Sequence, residues 1–193
     1  MRFELGHVPM PEGYGDAILS LDACKLHLRV THGSENELIA ALRDAAIEFV
    51  ERYCGVKLGQ VTGMTWRAES LPSDPSRSIS LAVRPVTAVT AVAWQDGEGT
   101  PVDGVPADYR ISDSGEMLPL VGGQWPSGIG GSVVVTFDAG YAAGEAPSSL
   151  LSAVKLMLGH LYLNREAVVS SGMAGEVPMG VTALCSPFRQ VLI

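Results

Sequence analysis

The stretch APSSLLSAVKLMLGHLYLNRE, residues 146–166, constrains this chain more than any other. It predicts a helix opened by Pro147. Leu150, Val154, Met157, Leu158 and Leu161 form one stripe at helical spacing, and Leu151, Leu156 and Leu163 carry apolar groups onto most of the remaining surface. A surface helix has one apolar stripe and one broad polar face. Here the polar residues before Asn164 are only Ser148, Ser149, Ser152, Lys155 and His160. Gly159 sits mid-helix, where glycine costs about 1 kcal/mol relative to alanine. Such a helix is either central to a core or covered by a neighbouring subunit. A chain of 193 residues has little of its own to surround a helix completely, so burial by another copy stays open.

Two helices are expected upstream. LDACKLHLRV follows Ser20, whose hydroxyl can cap a free first-turn amide. SENELIAALRDAAIEFVERYCGV carries Ser34 and Glu37 in capping-box spacing. Leu38, Leu42, Ala45, Ala46, Phe49 and Tyr53 then recur at three and four, and Gly55 suits the left-handed position after a helix. Residues 60 to 140 change character towards Val, Thr, Gly and Pro. SVVVTFDAG reads as a strand with Val133, Val135 and Phe137 on one face. DYRIS is a second strand, followed by a turn at DSGE. VTAVTAVAWQDGEG has valine at every third position, which mimics a helix. Its β-branched content and the Asp96-Gly97 turn favour a strand.

The fold class is therefore α+β, a helical bundle with an inserted antiparallel β region. Residues 1–17 form an N-terminal segment, 18–59 and 141–168 the helical core, 60–140 the β insertion and 169–193 a C-terminal arm. In that arm VVSSGMAGEVPMGV reads as a linker, while TALCSPFRQVLI is apolar and needs something to dock on.

Chemistry is sparse. The formal net charge of −8 argues against a DNA-gripping face, since such affinity rests on Lys and Arg neutralising phosphates. Cys24, Cys54 and Cys185 are odd in number and far apart, and read as buried thiols. His7, His27, His32 and His160 lack metal-site spacing. GGQWPSGIGG is no phosphate loop, QDGEG is a hairpin turn and SSGMAG is no nucleophile elbow. No catalytic residue, metal ligand or cofactor is expected, nor any signal peptide or membrane span. The Asn164-Arg165-Glu166 cluster reads as a helix C-terminal turn or as a subunit contact.

The second helix, RPVTAVTAVAWQDGEG, VVVTFDAGY, the helix ending in NRE and the terminal VTALCSPFR come in an order that resembles the head–tail connector (adaptor) proteins of long-tailed phages and phage-derived gene transfer agents. The resemblance spans about residues 18 to 190 and is closest to the longer form with a β insertion. It implies a ring of twelve copies beneath the portal protein, assembled in the bacterial cytoplasm and located in the particle neck. That ring would bind a tail-side neck protein and continue a channel through which DNA passes without specific binding. It implies no catalytic residue. Leu156, Leu163, Asn164 and Arg165 are the expected subunit interface. Leu184, Phe188, Arg189 and Leu192 are the expected contacts of an arm that reaches the portal; the alternative is that this tail folds back on its own bundle. A tail-completion or other neck protein is the competing role. A DNA-packaging enzyme is disfavoured because it should show acidic metal ligands or a phosphate loop.

Overall fold

The computed structural model describes residues 2–6, 8–165 and 178–189. The chain divides into two compact units, one of Met1–Met10 and Gln60–Gly140, the other of Pro11–Gly59 and Tyr141–Ile193.

The first unit is all β. Its main sheet has the order β1 (Phe3–Leu5), β2 (Val61–Ala68), β8 (Val133–Ala139), β4 (Val86–Gln95), β5 (Pro101–Gly104), with every pairing antiparallel. β8 alternates as expected: Val133, Val135 and Phe137 are fully buried and the residues between them are half-buried. β4 resolves the ambiguity of its three-residue valine period. Register shifts fall between Val86 and Ala88 and between Val89 and Ala91. Each bulge adds one residue to β4 against β8. Val86, Val89 and Val92 thereby pair with Ala139, Phe137 and Val135, which are spaced by two. A second sheet has the order β3 (Ile79–Ser80), β7 (Glu116–Pro119), β6 (Tyr109–Ile111). Trp125, in the loop before β8, stacks on Tyr109 at 5.6 Å and donates its indole N–H to the Arg77 carbonyl at 3.1 Å. The segment 1–17 does not stand alone. Phe3–Leu5 pairs with β2, and Phe3 stacks on the buried Trp66, whereas Tyr14–Ile18 belongs to the helical unit.

The second unit contains α1 (Tyr14–Ile18), α2 (Leu21–Leu28), α3 (Asn36–Cys54), α4 (Ser148–Leu163) and α5 (Met179–Cys185), followed by a 3-10 turn at Ser186–Phe188. Ser20 caps α2 by accepting from the Ala23 amide at 3.3 Å, and Gly55 ends α3 in the left-handed region at φ 68°. The capping box does not form. Glu35 holds the N-cap position, and the Ser34 hydroxyl bonds His32 Nδ1 at 2.8 Å instead. The core joins Cys24, Ile39, Ala46, Val50 and Cys54 to Leu150, Ala153, Val154, Leu158, Val181 and Cys185. The buried face of α3 is rotated from the expected one. Ile39, Ala46 and Val50 are fully buried, Leu38, Leu42, Phe49 and Tyr53 only partly, and Ala45 is exposed.

Candidate functional site

α4 turns Leu150, Ala153, Val154 and Leu158 into the core. The residues opposite them are Ser152, Leu156, Gly159 and Leu163, separated by four, three and four, which places them along one strip. Ser152, Leu156 and Leu163 are exposed, Leu163 at 81% and Leu156 at 42%. α2 lies along one side of the strip: a Cβ at Gly159 would stand 3.6 Å from His27 Nε2. α5 lies along the other, where a Cβ at Gly180 would stand 3.3 Å from Leu156 Cδ1. Met179, beside Gly180, is 86% exposed. The helical unit thus shows an apolar outer surface on α4, bordered by α2 and α5.

The other two expected interface residues have partners within the subunit. Asn164 donates through Nδ2 to the His160 carbonyl at 2.8 Å and closes α4. Arg165 pairs with Glu35 at 2.8 Å and lies over the Tyr162 ring, whose hydroxyl also donates to Glu35 at 2.6 Å. Hydrogen bonds from Tyr162, then from Arg165, hold the Glu35 carboxyl below its usual range. These residues tie the end of α4 to the start of α3.

The arm expected to leave the bundle packs on it. α5 buries Val181 and Cys185 in the core, and Leu184 and Phe188 pack against that core. Arg189 lies over the Tyr53 ring at 5.3 Å. The physical reason is the small, apolar face of α5, which fits between the ends of α3 and α4. Leu192 lies outside the described residues.

Sequence reasoning missed two buried charges. Arg43, 6% exposed, bonds Asp16 and Asp44, each at 2.9 Å, and the Leu19 carbonyl at 3.3 Å, joining α1 to α3. Glu51, 3% exposed, accepts from the Tyr14 hydroxyl, from the Leu58 amide at 2.8 Å and from Lys57 at 2.7 Å. Their signal was present: Arg43 stands four from both Ile39 and Ile47, and Glu51 stands four after Ile47, so both fall on the apolar face. Buried charges survive only with such partners. Burial raises the Tyr14 phenol, with the Glu51 charge adding to it, and pushes the Cys54 thiol up to about 12. Burial likewise raises Cys24 and Cys185. Thiols held protonated in a core are poor nucleophiles. Among the described residues no group of three or more His, Cys, Asp or Glu side chains could hold a metal ion. No helix among them is long and apolar enough to cross a membrane.

Residues 18–99, which run from the end of α1 to the hairpin turn after β4, match the family model of the phage gp6-like head-tail connector protein. Over these residues the chain resembles the head–tail connector family. Solved structures extend the likeness beyond them. A chain in the neck of an empty gene transfer agent (GTA) particle, computed with C6 symmetry, is 26% identical, with TM-score 0.73, over 98% of this chain and 97% of that one. A chain in the virion of a native GTA particle is 26% identical, with TM-score 0.72 and coverage of 98% and 96%. A third, from the neck of a native GTA particle computed with C12 symmetry, is 24% identical and shares the fold at TM-score 0.70 over 98% and 97%. No curated protein matches this chain by sequence. The proteins it resembles are a head-tail connector and chains of particle necks.

Proposed function

We propose that this chain is the adaptor of a phage-like particle: a ring of twelve copies in the neck, between the portal protein and the tail-side neck protein, with the DNA channel running through it. The observation that carries this reading is the end-to-end likeness, 98% of this chain against 97% of the other, to a chain in a GTA neck. The C6 and C12 symmetries of the necks that hold such chains support a closed ring whose copy number is twelve. The exposed apolar strip of α4 supports repeated contact between copies, and the net charge of −8 suits a channel that DNA slides through without being held. Assembly in the bacterial cytoplasm follows from building the ring onto filled heads before release.

The test is a cryo-EM reconstruction of the neck from particles made with and without this chain. Twelve copies between portal and tail are expected, and cells lacking the chain should accumulate DNA-filled heads without tails. Tailed, DNA-delivering particles from those cells would refute the adaptor role.

A further inference from the structure

α3 and α4 pack against one another through their core faces, so their outer strips point away from each other. On α4 the strip is Ser152, Leu156, Gly159 and Leu163, flanked by the half-buried Lys155 and His160. Neither Ser148–Leu163 nor Met179–Cys185 contains a carboxylate, although the chain as a whole is acidic. On α3 the outer strip is Glu37, Ala41, Asp44 and Glu48, all exposed and separated by the same four, three and four. Ala41, with the exposed Ala45 beside it, leaves that acidic strip low enough for large side chains to approach. Asp44 is shared with Arg43, and Glu48 faces Arg52 at 3.6 Å across an open surface.

We infer that the apolar, basic-flanked strip of α4 docks on the acidic strip of α3 in the next copy of this chain. The two strips share the same residue spacing, and Lys155 beside the α4 strip is opposite in sign to the carboxylates on α3. They also lie on opposite sides of one helix pair. Such an arrangement cannot be satisfied by a two-fold dimer through a single patch. It joins copies head to tail, and a head-to-tail contact closes into a ring when its rotation permits. Leu156 and Leu163, seven residues apart, would lie over Ala41 and its neighbours, with Lys155 beside them facing the carboxylates of the α3 strip. Met179 extends the apolar surface at one edge. This inference rests on the proposed ring and assigns its contact.

The experiment measures occupancy of the chain in necks of purified particles by quantitative mass spectrometry against the portal protein. Leu163→Glu places a carboxylate on the α4 strip, and its occupancy should fall at least tenfold. Glu48→Lys with Glu37→Lys, on α3, should fall equally. Combining all three changes restores opposite charge across the contact, and occupancy should recover to within about threefold of the unmodified chain. Full occupancy of either variant alone, or no recovery in the combination, overturns the docking. Circular dichroism of each purified subunit checks folding. If Leu163→Glu does not fold, Lys155→Glu is read in its place with the same α3 partner changes and the same outcomes required. Absence of the unmodified chain from the necks would instead refute the adaptor reading.

Discussion

Replacing Glu51 tests whether one buried carboxylate organises the place where α3 ends. Its two oxygens receive the Tyr14 hydroxyl, the Leu58 amide and the Lys57 ammonium, and the Tyr14 oxygen in turn accepts from the Gly59 amide at 3.1 Å. Glu51→Ala removes three acceptor contacts at a position only 3% exposed. The Leu58 amide and the Tyr14 hydroxyl lose their acceptor without gaining water, and Lys57 loses the carboxylate it faces. Deleting one partner of a buried ion pair costs about 3–5 kcal/mol. Glu51→Gln keeps an oxygen for Tyr14 and Leu58 but turns an amide towards Lys57, and should cost about 1.5–3 kcal/mol, the range for a charged hydrogen bond. Tyr14→Phe strands the Gly59 amide and should cost about 1–3 kcal/mol. The double variant Glu51→Ala, Tyr14→Phe should then show a coupling of about 0.5–3 kcal/mol, because the two groups share one bond. Urea unfolding of the purified subunit, followed by its helical circular dichroism, measures all four. A loss below about 1 kcal/mol for Glu51→Ala, or additive single losses, would refute the clamp. The clamp also predicts an alkaline limb. Burial and the Glu51 charge raise the Tyr14 phenol above its unfolded value. A raised value means that its contribution is fully present below about pH 10 and is lost as pH climbs towards the folded value. Tyr14→Phe should flatten that limb.

Gly159→Ala should stabilise the free subunit by up to about 1 kcal/mol, because its Cβ meets His27 only at ordinary contact distance and glycine is a poor helix former; an unchanged or lower melting temperature counts against this. Glu35 is held below its usual range by Tyr162 and Arg165, so its contribution is present above about pH 4.3 and is lost as pH falls through the folded value. Amide protection in the last turn of α4, taken relative to the intrinsic exchange rate, should therefore fall as pH drops below about 4.3 in the unmodified protein, and Arg165→Ala should show low protection already at neutral pH. Deleting residues 179–193 removes Val181 and Cys185 from the core and should cost about 3–6 kcal/mol, at about 1.5–3 kcal/mol for each fully buried side chain of about valine size. Scanning calorimetry of the truncated chain checks this, and an unchanged transition would mean that α5 is not part of the core.

The features legible in the sequence are those written by neighbours along the chain. Ser20 capping α2, Gly55 ending α3, the alternation of β8 and the Asp96-Gly97 turn each depend on residues a few positions apart, so a local pattern contains the whole argument. The doubtful strand at 86–95 and the crowded helix at 148–163 were legible in kind for the same reason. The α4 strip was half legible: Leu156 and Leu163 stood out as apolar groups with nowhere to go, but the strip on α3 did not, because alanines and acids on a helix surface carry no signal until the core face is known. Tertiary structure decided that face. α4 and α5 take Ile39, Ala46 and Val50 and leave Leu38 and Leu42 at the margin, a choice made by helices that begin 94 and 125 residues after α3 ends and that no window on α3 contains. The same holds for Glu51, whose partner Tyr14 is 37 residues away, for the bulges that bring the valines of β4 opposite β8, and for α5. An apolar tail on a small-residue linker needs a surface to cover, and composition is identical whether that surface belongs to a partner or to its own bundle. Only the fit of Val181 and Cys185 between packed helices distinguishes the two.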